Sequence, residues 1–551
     1  MVVPISAGIE IRIKVVVLSF EAIGKIKKNE RKGNDMVIMF LIAMAPIIWL
    51  IIALSGLKMP GYKACFIGLI LTILLAAFVW KQPAMEIFTG ALEGIAMAIW
   101  PICYVIIAAV FAYNVTVHTK KMELIKRMLT SVSKDQRILV LIIAFGFGSF
   151  MEGMAGFGTA VAIPASMLVG LGMNPVIAAA TCLVANTAPT AYGSIGIPTT
   201  TLASVAQVDA QPLGETTAIL LIPILLVTPF LLVCMTGKSI KALKGMGVIS
   251  LVCGVSFALP FYGTAHFMGP ELPTILSSVI CMIATGIAVK FIHKGENQEY
   301  ELDVEEQEAE KEKMTIGEMF IAWLPFLFIL VLLMAISLIK PLNQLLVKVH
   351  TTVPIYSGEG ASPYTFTWIA TPGTMILIAA FLGGLIQGAS IKELFQVLLA
   401  TIKQMWKTIV TIVSVLATAK IMGYSGMISD IATLFVTVTR AFYPIFAPFL
   451  GSIVTFVSGS ATTASVLFGG LQAETATAIG MSPVWLAAAN TGGAVVAKMI
   501  SPQNISIGAA AADMQGQEST LMKIVIKYYI VYIILLGLLS LLFCRVLTLG
   551  F

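Results

Sequence analysis

The segment Ser149 to Pro164, SFMEGMAGFGTAVAIP, carries one carboxylate, Glu152, among glycines and apolar residues with no positive charge nearby in sequence. At the middle of a membrane such a group costs roughly 2.5 to 3.5 kcal/mol on insertion scales, so it must be paired, hydrated or protonated. Two roles follow for Glu152: proton coupling, or a purely structural hydrogen-bonding role. Lys498, in VVAKMISPQ, offers a fixed positive charge to a substrate carboxylate, with an ion pair to Glu152 as the plainer alternative. Lys420, in VLATAKIMGYSG, is a further charge that either reaches the same site or snorkels to an interface.

These residues fall in or near segments that cannot be smooth helices. The four are 144–164, 175–203, 456–470 and 487–508, holding GFGSFMEGMAGFG, ANTAPTAYGSIGIPTTT, SGSATTASVLFGG and AANTGGAVVAKMISPQNIS. Glycine and proline at membrane depth free backbone groups from helix bonding, which is tolerated only where protein or a water-filled cavity satisfies them. Segments 144–164 and 456–470 therefore read as hairpins, and 175–203 and 487–508 as broken helices. Helix N-termini ending at mid-membrane carry about half a positive charge and suit a carboxylate. The groups expected to meet substrate are Gly153, Gly156, Gly158, Asn186, Thr187, Ser460, Thr462, Thr463, Asn490, Thr491, Lys498, Ser501 and Gln503. Asn186, Thr187, Asn490 and Thr491 are placed at the two breaks, where they bind substrate or simply cap half-helices.

The elements that position these groups are transmembrane helices. The chain has 551 residues, is 58% hydrophobic and 11% charged, and has a mean hydropathy of +0.96, outside the range of soluble domains. Apolar runs of the roughly 20 residues that span a bilayer recur throughout, as at 37–56, 218–235, 320–339 and 529–544. The expected fold is an all-α polytopic membrane protein of about 12 transmembrane helices, give or take two, plus re-entrant hairpins and broken helices. The formal charge of +6 sits mostly in loops, where it reports topology rather than a nucleic-acid partner. Seven cysteines, at 65, 103, 182, 234, 253, 281 and 544, lack metal-ligand spacing and read as free thiols. Neither metal nor other cofactor is expected.

Residues 1–35 read as an N-terminal extension, with purine-rich codons implied by ERKGND and Met36 as the expected start of translation. Peptide mass spectrometry that finds residues 1 to 30 in the mature protein would refute this. No cleaved signal peptide is recognisable. The segment 293–316 is a solvated acidic linker on the cytoplasmic side; Lys294 to Lys313 alone holds nine of the 28 acidic residues. It divides a first membrane half, 36–292, from a second, 317–551.

The halves are alike. GMNPV at 172–176 matches GMSPV at 480–484, ANT at 185–187 matches ANT at 489–491, and Asn186 to Pro198 spans the same twelve positions as Asn490 to Pro502. An ordered series of this kind is an internal duplication. The helix near 91–113 is followed by a stretch with six Lys/Arg, which the positive-inside rule makes cytoplasmic. Its counterpart near 408–428 is preceded by Lys392, Lys403 and Lys407 and followed only by Arg440, so the repeats have inverted topology, as in many secondary transporters.

FMEGMAGFGTAVAI, ANTAPTAYGSIGIP, GPELPTILSS and AANTGGAVVAKMISPQNISI resemble, in order, the signature blocks of the L-lactate permease family, over about Met36 to the C-terminus. The resemblance implies an importer of L-lactate, or a related 2-hydroxy monocarboxylate such as glycolate, by proton symport across the plasma (inner) membrane. It also implies the ion-transporter superfamily, with elevator-type motion and a homodimer in a lipid membrane as superfamily expectations. Two departures bear on the substrate. Ala461 stands where the family pattern resembles an aspartate, and Lys420 where it resembles an aromatic residue, so a more anionic carboxylate or sodium coupling is the alternative.

Other classes fit poorly. An anion channel needs no two-fold set of broken helices around a titratable group. GYSG at 423–426 imitates a rhomboid-type serine protease, but all four histidines (118, 266, 293, 350) precede Ser425, and a nucleophilic serine needs a base. GKS at 237–239 imitates a phosphate loop with Leu232 in place of its first glycine. The chain therefore reads as a transporter and not an enzyme.

Overall fold

The computed structural model describes residues 33–57, 59–156, 158–292, 300–302, 315–359, 363–439 and 442–546. The N-terminal extension before Gly33 and most of the acidic linker lie outside the described residues. Among the described residues nine helices are long and apolar enough to cross a membrane, or ten when the bent pair Asp35–Ala43 and Ala45–Leu54 is taken as one span. The segments of the two interrupted helices and the short helix Pro372–Ile386 fall below that length. Phe78, Phe291 and Leu399 lie exposed on the outside, as lipid-facing side chains do in a protein whose solvent there is hydrocarbon.

Two long helices, Ala84–His118 and Ile391–Ser425, cross the molecule side by side. They run antiparallel. His118 Nε2 lies 3.9 Å from Glu393 Oε1 at one end, and Gly90 packs on Tyr424 at the other. Gly94 allows the closest approach, since a side chain there would run into the backbone of Ala417. The first of these helices bends at Trp100, whose backbone leaves the helical region ahead of Pro101. Gly61–Phe78 lies along the second, with Tyr62 against Trp406 at its start and Trp80 Nε1 donating to Asp430 Oδ2 just past its end.

The other group of helices carries the irregular segments. The helix Gln136–Met154 follows the basic loop 118–135, where Asp135 caps it and Arg137 pairs with Asp135 at 2.6 Å and bonds the Ala242 carbonyl. It turns at Gly156 (φ +55°) and Gly158 (φ +89°) and returns as Thr159–Gly170. The second hairpin, Tyr443–Ser458 and Ala461–Ala478, turns at Gly459 (φ +69°). Left-handed backbone at these tips favours glycine, which has no Cβ to clash. The spans Ala210–Thr236, Gly247–Met268, Pro273–Ile292 and Glu518–Val546 pack around the hairpins and interrupted helices.

The first interrupted helix runs Pro175–Ala185, passes through a 3-10 turn at Ala188–Tyr192, and resumes within Gly193–Ala206. Ser194, Ile195 and Gly196 are all left-handed, with φ of +45°, +59° and +77°. A β-branched residue there is rare, and such strain collects at functional sites. The second runs Pro483–Ala497, tightens to 3-10 geometry over Lys498–Ile500, and restarts at Pro502–Ala511 with Ser501 as its cap. A two-stranded antiparallel ribbon, His350–Val353 with Tyr364–Thr367, follows the span Ile316–Leu338. It packs on Trp100, whose Nε1 donates to the Thr367 carbonyl.

Candidate functional site

A cavity of about 420 Å³ lies between the two groups of helices. One wall is made by the hairpin tips and helix breaks: Glu152, Gly158, Thr190, Ser194, Ser460 to Thr463, Lys498, Gln503 and Asn504. The facing wall is made by Pro60 to Tyr62, Ile106, Lys407 and Thr411.

Glu152 and Lys498, 346 residues apart in sequence, meet here. Lys498 Nζ donates to Glu152 Oε1 at 2.6 Å, and the residues are only 7% and 3% exposed. The pair belongs to a closed network. Asn186 Nδ2 donates to Glu152 Oε2 at 3.0 Å, Lys498 Nζ reaches Thr190 Oγ1 at 3.3 Å, and Thr190 Oγ1 donates to the Asn186 carbonyl at 2.6 Å. Gly193 makes room for it, because a Cβ there would sit 2.5 Å from Glu152 Oε1. The local reasons are plain: Glu152 lies in the last turn of an apolar hairpin arm, and Lys498 begins the 3-10 turn where its helix stops.

Several helix N-termini point into the same space. Gly158 caps the returning arm of the first hairpin, while Ser460 Oγ accepts from Thr463 N in the second. Ser501 Oγ accepts from Asn504 N at the second break, and Asn504 Nδ2 reaches the Gly459 carbonyl, tying that break to the second hairpin tip. The positive ends of these dipoles favour an anion between them. Among the described residues of the lining are two lysines and one glutamate, a formal charge of +1 that again favours an anion.

Of the residues expected from sequence, Glu152, Gly158, Ser460, Thr462, Thr463, Lys498 and Gln503 line the cavity. Asn186 stands behind Glu152 as its hydrogen-bond donor. Gly153 packs on Thr274 and Ile275, Gly156 on Ser194, and Ser501 is the buried cap. Thr187 Oγ1 donates to the Val184 carbonyl at the first break. Asn490 and Thr491 are not at a break: both lie inside the continuous helix Pro483–Ala497, with Asn490 against Gly451 and Thr491 Oγ1 on the Ala487 carbonyl. The second helix ends eight residues later than the ANT repeat implied, because Ser501 and Pro502 set the restart.

Lys420 lies outside the cavity lining and adds no net charge there. Its Nζ pairs with Glu93 Oε1 at 2.7 Å, and Tyr424 donates to Glu93 Oε2 at 2.8 Å. Glu93 was not singled out from sequence, although it is the one carboxylate in the apolar run ALEGIAMAIWPIC. Thr190, Ser194, Asn504, Tyr62 and Lys407 were also missed as lining residues. Thr190 and Ser194 fall inside the segment recognised as broken, whereas Tyr62 and Lys407 belong to ordinary helices that give no such signal.

The sequence pattern that describes L-lactate permease matches residues 39–547. The chain belongs to the L-lactate permease family. An L-lactate permease of Streptococcus iniae is 46% identical over 449 residues, covering 81% of this chain and 93% of that one. The glycolate permease GlcA of Escherichia coli strain K12 is 35% identical over 541 residues, covering 92% and 96%. An L-lactate permease of Bacillus subtilis strain 168 is 34% identical over 539 residues, covering 91% and 95%. As a lactate permease family member with this helical architecture, the protein is a multi-pass membrane transporter, not an enzyme.

Proposed function

We propose that this transporter imports L-lactate, or a related 2-hydroxy monocarboxylate such as glycolate, together with a proton. The relatives named for lactate and glycolate support the substrate class. The observation that carries the coupling is the contact of 2.6 Å between Lys498 and Glu152 inside the cavity.

In the empty carrier Lys498 is neutralised by Glu152. A substrate carboxylate and the Glu152 carboxylate compete for the same ammonium group. At about 5 Å separation and an effective dielectric of about 20, two carboxylates repel by about 3 kcal/mol, roughly a two-hundredfold penalty on binding. Protonation of Glu152 removes that penalty and frees Lys498 for the substrate. The ion pair then contributes zero net charge when empty, and the fully loaded set (Lys498⁺, neutral Glu152, substrate⁻) also sums to zero. Proton alone leaves +1, and substrate alone leaves −1. Moving an unbalanced charge through a low-dielectric passage costs several kcal/mol, so the empty and fully loaded carriers move and the half-loaded ones stall. That selectivity is what obligate symport requires.

Asn186 and Thr190 hold the pair in register, and Ser460, Thr462, Thr463 and Gln503 offer hydroxyl and amide groups to the substrate's carboxylate and 2-hydroxyl. Reconstituted vesicles given lactate, glycolate and a C4 dicarboxylate, under separate proton and sodium gradients, test the proposal. Accumulation of lactate or glycolate driven by the proton gradient alone is expected. Accumulation driven only by sodium, or only of the dicarboxylate, would overturn it; gradient-independent leak would instead indicate a channel.

A further inference from the structure

The cavity holds a second cation that this coupling scheme leaves unused. Lys407 lines the wall opposite Glu152 and Lys498, and among the described residues no carboxylate lies within ion-pair distance of it. Its Nζ sits 6.0 Å from the Tyr62 ring centre and 5.8 Å from that of Trp406, the outer limit of a cation–π contact, so its charge is not consumed there.

Its side of the membrane follows from neighbouring elements. The helix Ile391–Ser425 begins beside His118, which opens the lysine-rich cytoplasmic loop. Gly61–Phe78 runs parallel to it, with Tyr62 beside Trp406 at one end and Trp80 bonded to Asp430 at the other. The turn at Pro60 to Tyr62, part of the same cavity wall, is therefore at the end of its helix nearer the cytoplasm, and Lys407 stands beside it, 16 residues into its own helix. The same level on the antiparallel long helix is different in kind. Tyr104 packs beside Gly373 there, with Trp100 stacked on it and Trp368 against Trp100, an aromatic cluster containing no lysine.

We propose that Lys407 is a second carboxylate-binding residue for the transported anion, acting on the cytoplasmic side of the cycle. This rests on the transport scheme above. When Glu152 releases its proton inward it reclaims Lys498, and the displaced anion meets the unpaired ammonium of Lys407 on the facing wall. In reverse, an anion entering from the cytoplasm passes Lys392 and Lys403 and meets Lys407 in the cavity wall itself, and a fixed charge of this kind raises local anion concentration in a salt-dependent way.

The test is lactate exchange in right-side-out and inside-out membrane vesicles, for the wild type, Lys407→Gln and Lys407→Arg. For Lys407→Gln, the half-saturation concentration on the cytoplasmic face should rise about five- to tenfold, while that on the outer face stays within about twofold. Lys407→Arg should restore the cytoplasmic value, and high salt should raise the wild-type value toward that of Lys407→Gln. An unchanged cytoplasmic value in Lys407→Gln refutes the inference and leaves the lysine as a contact for lipid phosphate. An equal rise on both faces refutes it too, as the mark of a general distortion of the site. Wild-type vesicles that exchange no lactate would overturn the transport scheme and this inference with it, whereas normal wild-type exchange with no one-sided effect removes this inference alone.

Discussion

Replacing Glu152 by glutamine isolates the coupling step. The amide is nearly isosteric, and its oxygen can still accept from Lys498. Its NH2 group would face the Nδ2 donor of Asn186, but Asn186 Oδ1 has no hydrogen-bond partner, so a flip of the Asn186 amide restores a donor–acceptor match. The variant should therefore fold. Electrically it mimics the protonated carrier permanently. Loss of the carboxylate repulsion, about 3 kcal/mol, should tighten lactate binding at high pH by up to roughly two hundredfold. In the wild type, linkage to one proton makes lactate affinity fall by as much as about tenfold per pH unit as pH rises; in Glu152→Gln the dependence should be flat. The loaded variant is neutral at the site and still moves. The empty variant carries +1 and returns slowly, at a cost of several kcal/mol. In proteoliposomes, counterflow exchange of labelled lactate should survive, while net uptake driven by a pH gradient should fall about a hundredfold or more. Concentrative, proton-driven uptake by Glu152→Gln would refute the reasoning, as would a pH dependence of binding identical to the wild type.

Other perturbations probe the neighbouring contacts. Lys498→Met strands Glu152 without a charge partner and should lower stability by about 3 to 5 kcal/mol, whereas Glu152→Gln/Lys498→Met should recover much of it without recovering transport; thermal unfolding in detergent and lactate binding separate the two effects. Gly193→Ala places a methyl 2.5 Å from Glu152 Oε1 and should weaken lactate binding at least about tenfold while membrane insertion is retained, as read by surface labelling and equilibrium binding. The Lys420–Glu93 pair lies outside the cavity, so Lys420→Met should lower the melting temperature, Glu93→Gln/Lys420→Met should regain part of the loss, and the half-saturation constant for lactate should stay within about twofold of wild type. A shift in substrate preference toward dicarboxylates in Lys420→Met would contradict that placement.

Much of the site's position was legible in the sequence because glycine and proline at membrane depth have few uses. The hairpin at Glu152 and the interrupted segment at Asn186 to Pro198 appear where the composition places them. The encounter of Glu152 with Lys498 was also open to inference, since each is a charge whose burial demands a partner. The repeated ANT tripeptide misled at Asn490 and Thr491. In the first copy the helix stops at Asn186, but in the second Gly492 and Gly493 continue it and pack against neighbouring helices, with Gly493 close on the Pro448 carbonyl. Lys420 and Lys407 show the complementary limit. Both are among the four lysines of the same 35-residue helix; which meets a carboxylate and which faces the cavity depends on what packs against each side, and that is tertiary information. Helix length also counts imperfectly, because Gln136–Met154 is long and apolar enough to pass for a span yet is a hairpin arm, while Pro372–Ile386 is a short helix packed among spans.

The central claim is that one proton and one substrate anion bind together because Glu152 and Lys498 otherwise occupy each other. Proton uptake on lactate binding, measured with a pH indicator in weakly buffered detergent solution of the purified protein, tests this without the complications of a vesicle. The account predicts uptake approaching one proton per lactate bound by the wild type at high pH, and none by Glu152→Gln. Lactate binding to the wild type without proton uptake, or equal uptake by Glu152→Gln, would contradict it.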